Sequence, residues 1–212
     1  MSVSLKPLVY KMIAVLMRGA LCLFVASAAI AGASAQNNNS AAKTIEKRYS
    51  MNEIVNSGHH FFGDTSGGLA KAVETIFKRY GQPVAYITGE EGSGAFVGGL
   101  TYGEGSLYTK DAGIYKIFWQ GPSFGLDFGG QGSRAMILVY NLDNVSNMFG
   151  RYGGVAGSAY LVAGVGFNVL QRTNKATGKR ILLVPVRTGV GARLGINFGY
   201  LKMTTRPTWN PF

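Results

Sequence analysis

Cysteine is nearly absent from this chain of 212 residues: its one thiol, Cys22, stands close to the N-terminus. A disulfide framework and a cysteine-ligated metal are both excluded, so the fold must rest on a hydrophobic core. Histidine is almost as scarce, with only His59 and His60, side by side. Neighbours on a helix point about 100° apart, so these two with Asp64 do not make a metal cluster. Acid is short as well, with ten Asp plus Glu against twenty-one Lys plus Arg and a net charge of +11. The uncharged apolar run Gly19–Gly32 falls short of the ~20 residues that a membrane-spanning helix needs.

What that run does match is an export signal. Lys6, Lys11 and Arg18 precede it, and Ala33-Ser34-Ala35 closes it with small residues, so cleavage is expected between Ala35 and Gln36. Cys22 is no lipidation site, because Leu21 stands where a small residue is needed. The expected organisation is a signal peptide over 1–35, a polar leader over 36–49 and a single domain over 50–212. Without the signal, eighteen basic residues face ten acidic ones, a net +8. An exported basic domain of this kind suits anionic partners of the envelope, such as lipid head groups, lipopolysaccharide or a cell-wall component, and not nucleic acid.

Two helices are expected first. Ser50 and Glu53 form a capping box, followed by Met51, Ile54, Val55, Gly58, Phe61 and Phe62 on one side. A second helix opens after Asp64-Thr65-Ser66 and places Leu69, Ala72, Val73, Ile76, Phe77 and Tyr80 on one stripe, with Gly81 and Pro83 as its stop. From Val84 the period changes to two, which predicts strands near 84–88, 94–101, 104–109, 113–120, 123–129, 133–140, 155–161, 163–171, 180–189 and 192–203. A short helix with Val145, Met148 and Phe149, capped by Asn141 or Asp143, interrupts them. Val184 and Val186 through Tyr200 share one parity and Arg187, Arg193 and Asn197 the other, which reads as an apolar face and a wet one. So many glycine-interrupted strands predict an α+β, mainly β chain: a small glycine-rich antiparallel β-barrel with N-terminal amphipathic helices. The second helix must then cover an open end or the outer wall.

No motif supplies a self-sufficient active site. Gly121-Pro122-Ser123-Phe124-Gly125 has the form of a nucleophile elbow, but strand pattern follows Ser123 and both histidines lie upstream, so a serine hydrolase is the weakest reading. Gly92-Ser93-Gly94-Ala95-Phe96-Val97-Gly98 lacks the glycine or lysine positions of phosphate-cradling loops. Glu90-Glu91 beside glycines reads as a solvated turn, and Asp127 has no carboxylate partner. The terminal aromatic Phe212 and the strand alternation suit a small outer-membrane β-barrel, the architectural rival, although Pro207 and Pro211 break the last strand pattern.

Phe61-Phe62-Gly63, the run Tyr80–Ile87, Gly121–Gly125 with Gly129-Gly130, and the ending Thr208-Trp209-Asn210-Pro211-Phe212 together resemble the alphaproteobacterial envelope integrity protein A family, formerly a domain of unknown function. The resemblance covers about 50–212 and implies a periplasmic, soluble β-barrel that supports envelope integrity without an assigned enzymatic activity. A fainter resemblance to lipid-binding SYLF domains spans about 92–165. Both are consistent with a non-enzymatic protein that binds a lipid or glycolipid, with Trp119, Phe124, Arg134, Tyr140 and Arg151 as candidate lipid contacts. No catalytic, cofactor or metal residue is expected.

Overall fold

The structure, a computed structural model, describes residues 47–63, 68–94, 99–123, 133–187, 199–208 and 210. Helix α1 (Met51–Phe62) opens at Ser50, whose Oγ accepts the N–H of Glu53 while a Glu53 carboxylate oxygen accepts that of Ser50. This is the reciprocal box expected from the sequence, and it satisfies two of the N–H groups that a helix start leaves unpaired. Helix α2 (Leu69–Tyr80) buries Leu69, Ala72, Val73 and Ile76, and Lys78 pairs with Glu74 one turn back at 2.6 Å. Its start differs from expectation. The N-cap is Gly68, which offers no side-chain cap, because the helix begins at the first residue of its buried stripe. Asp64, Thr65 and Ser66 lie outside the described residues.

The strands are β1 (Ala85–Gly94), β2 (Gly99–Thr109), β3 (Gly113–Ser123), β4 (Ser133–Tyr140), β5 (Gly150–Gly154), β6 (Tyr160–Val162), β7 (Val165–Phe167), β8 (Leu170–Thr173), β9 (Arg180–Arg187) and β10 (Tyr200–Thr204). All described pairings are antiparallel. In the order β4-β1-β2-β3-β10-β5-β8-β9, with β9 returning to β4, eight strands close into a barrel. Closure gives each of these strands a partner on both sides over at least part of its length. The short pair β7 and β6 continues from β9, so β7 and β8 lie end to end along it, at Gly166↔Arg187 and Leu170↔Leu183. That break replaces the long strand expected over 163–171, and Ala163 and Gly164, at φ 49° and 80°, turn the chain just before it.

Other differences have local causes. Gly103 does not divide two strands; it sits inside β2 opposite Trp119. The helix near 145 is a single 3-10 turn, Val145–Met148, and Asn144 caps it by accepting the N–H of Ser146 at 2.9 Å. Beyond Ser123, the expected strand over 123–129 lies outside the described residues, as do residues 188–198, Ala35, Gln36, Asp127 and Phe212.

Two hydrophobic cores share the wall. Inside the barrel pack Ile87, Leu107, Ile117, Trp119, Ile137, Val139, Tyr152, Leu183 and Met203. Outside, Met136, Leu138, Val184 and Val186 meet Ile54 of α1 and Leu69, Val73 and Ile76 of α2. The helices therefore cover the outer wall over β4 and β9. Strands buried on both faces read as continuous apolar runs, which explains Ala135–Tyr140 and Ile181–Val186. It also corrects the wet face expected for β9: Val184 and Val186 point outward under the helices, and Arg187 shares the inward parity of buried Ile181 and Leu183. Each fully buried Leu, Ile or Val contributes about 1.5–3 kcal/mol, which makes α2 a structural part of the wall.

Candidate functional site

On β1, residues Ala85, Ile87, Gly89 and Glu91 alternate inward. Glu91 is therefore a buried strand residue at 4% exposure and not part of a solvated turn. Its Oε1 accepts the indole N–H of Trp119 at 2.9 Å, and the Arg187 guanidinium grips both carboxylate oxygens at 2.8 and 2.9 Å. Three strands are thus tied at one end of the barrel by a charge-assisted fork. The indole needs space, and Gly89 and Gly103 provide it: a Cβ on Gly89 would lie 2.7 Å from the ring, and one on Gly103 would overlap it.

On the other side of the same strands, outward-facing Glu90, Tyr102, Glu104, Phe118 and Gln120 line a groove of about 400 Å³ walled by Pro207 and Thr208. The strand register sets Tyr102 beside Gln120 and Glu104 beside both Glu90 and Phe118. Gln120 is buried under the C-terminal segment and donates to the Thr208 hydroxyl at 3.1 Å. Lys116 pairs with Glu104 at 3.2 Å and stands 5.5 Å over the Phe118 ring. Two aromatic faces are therefore set among carboxylates and a carboxamide, on strands that hold each position firmly.

The candidate contacts from the sequence do not converge here. Trp119 is inside the barrel at 1% exposure, and only the groove's inner side reaches it. Tyr140 is covered by α2, its ring 6.0 Å from that of Tyr80, and burial pushes its hydroxyl pKa upward. Both are core residues because they sit on strand positions that face apolar layers. Arg134 fastens the end of α1, donating to the Phe61 carbonyl at 2.9 Å. Arg151 lies on β5 with its guanidinium 5.6 Å over Tyr200. Phe124 lies outside the described residues. Ser123 is the last residue of β3, and His59 and His60 occupy the last turn of α1. Sequence reasoning missed Glu91, Tyr102, Phe118 and Gln120; extending the alternation from Ile87 through Gly89 would have turned Glu91 inward.

The barrel's described interior is filled with side chains, Trp119 and Tyr152 the largest among them. Among the described residues, the room open to a ligand lies in the surface grooves and not between the packed core side chains.

The family model for EipA, envelope integrity protein A, matches residues 47–212. Among solved structures, a crystal structure of a beta-barrel-like, uncharacterized protein from Brucella abortus is 66% identical, covering 78% of this chain and 99% of that one at a TM-score of 0.70. No curated protein sequence matches.

Proposed function

Because this chain belongs to the envelope integrity protein A family, we propose that it acts in the periplasm as a non-enzymatic binding protein of the cell envelope, holding the saccharide part of an envelope glycolipid in its outer groove. The groove itself carries this reading. Sugars present apolar ring faces and a rim of hydroxyls, and Tyr102 and Phe118 with Glu90, Glu104 and Gln120 match both. The signal-like segment before Gln36 supports export, and the packed interior directs binding to the surface. The apolar interior and the outward Glu104 and Lys116 also favour a barrel in water over one in a membrane, whose polarity is the reverse.

Deleting the gene and challenging cells with detergent and a wall-active antibiotic tests the role. Sensitivity is expected, restored by the native chain and not by Tyr102→Ala/Phe118→Ala. Unaltered resistance of the deletion strain would reject the envelope role, and full rescue by the double variant would reject the groove. Native mass spectrometry of the protein purified from the periplasm without detergent is expected to show a co-purifying glycolipid.

A further inference from the structure

A second cleft, of about 490 Å³, opens where β5 and β8 meet and is lined by Arg151, Arg172, Thr173, Asn174, Lys175 and Ala176. We infer that it is an oxyanion site that takes phosphate groups.

The lining holds three cations and no carboxylate. The ion pairs among the described residues use Lys47, Lys78, Lys110, Lys116, Lys179 and Arg187, so the carboxylates that neutralise charge elsewhere are not spent here. Arg172 is held in place, and exposed Arg151 rests on one ring contact. Arg172 donates to the Phe149 carbonyl and lies 5.6 Å over the Tyr152 ring, and Arg151 lies over Tyr200. A planar guanidinium fixed in this way offers parallel N–H donors that match phosphate oxygens, and little side-chain freedom is left to lose on binding. The turn that carries Lys175 is shaped by buried Asn174, whose Oδ1 accepts the N–H of Ala176 at 3.0 Å. Thr173 adds a hydroxyl.

The register also fixes where this site stands. Tyr102, Gln120, Lys202 and Arg151 are successive partners across β2, β3, β10 and β5. Neighbouring strands are about 4.8 Å apart, so the aromatic groove and the cationic cleft lie on the order of 15 Å from each other along one rung of the outer wall. A phosphate-bearing glycan could span both. That link rests on the saccharide reading of the groove; the phosphate site does not.

The test is calorimetric titration of the mature chain with inorganic phosphate at low salt. Saturable binding is expected, and Arg151→Gln/Lys175→Gln should weaken it about tenfold or more without changing the melting temperature, since both side chains are exposed. Arg48→Gln/Lys71→Gln, which removes the same charge elsewhere, should keep full affinity. Absence of saturable binding, or equal losses in the two double variants, overturns the proposal. Co-sedimentation with phosphatidylglycerol vesicles, against phosphatidylcholine vesicles, then identifies the source. Pelleting that needs Arg151 and Lys175 supports a lipid phosphate, and phosphate binding without pelleting supports a soluble phosphate-bearing ligand. Tyr102→Ala separates the two sites: phosphate affinity unchanged with saccharide binding lost upholds both, and lost phosphate affinity counts against a separate cleft.

Discussion

Trp119 donates its indole N–H to the carboxylate of Glu91 inside the barrel, and the same carboxylate is held by Arg187 from across the wall. A buried charge in this position is tolerated only while its partners remain. Arg187→Met should therefore destabilise the chain by about 3 kcal/mol, because Glu91 is left buried without its fork. Glu91→Leu/Arg187→Met should recover most of that loss, since the pair vanishes together with its desolvation cost. Urea unfolding of the two variants decides; a double variant as unstable as the single one would show that the pair is not a coupled unit.

Gly103 is the space in which the Trp119 ring lies, so Gly103→Ala must push the indole off Glu91. Overpacking of a filled core costs about 1–3 kcal/mol. The indole N–H signal of Trp119 should move and exchange faster with solvent. Combined with Trp119→Phe, the alanine should cost less than it does alone. Strict additivity in that double-mutant cycle would contradict the contact.

Lys110 and the Ser50 cap together hold Glu53 at about 2, below the ordinary carboxylate range. The folded value lies below the unfolded one, so this stabilisation is complete above the usual carboxylate pKa and is lost as pH falls through about 2. Solvent reaches the pair, so the effect is small. Glu53→Gln should lower stability at neutral pH by up to about 1 kcal/mol and flatten the acid limb between about pH 5 and 2. Melting temperatures across that range test it, and an unchanged slope would discount the ion pair.

Two buried tyrosines should respond oppositely to loss of their hydroxyls. The Tyr140 hydroxyl has no hydrogen-bond partner among the described residues, whereas that of Tyr152 donates to the Met148 carbonyl at 2.8 Å. Burial lifts both pKa values, that of Tyr152 to about 12. Tyr140→Phe should be neutral or stabilising by about 1 kcal/mol, and Tyr152→Phe should cost about 1 kcal/mol. Denaturant midpoints with unchanged m-values are the measurement.

Much of this architecture can be read from local pattern. The capping box at Ser50 and the 3.6-residue stripe of α2 depend on neighbours in sequence, and both stand in the structure. The candidate contacts fared differently. Trp119 and Tyr140 were candidates because they flank the best-patterned central hairpin, but large amphipathic side chains there also suit a core that stacks an indole on glycines and a phenol under a helix.

By itself, the amino-acid order determined where helix gives way to strand and that the sheet would be rich in glycine, because those properties follow from periodicity and backbone freedom; closure through the β4–β9 pairing was decided by the tertiary structure. Nor did the order determine which side of each strand is the inside. Alternation has period two and is symmetric: β4 and β9 are apolar on both faces, so only the docking of α1 and α2 on one wall decides that Val184 looks outward and Arg187 inward. With that choice made, Glu91 becomes a buried anchor, and Tyr102, Gln120, Lys202 and Arg151, distant in sequence, become neighbours on one rung. Register across a closed sheet is a long-range property, set by the packing of the whole barrel.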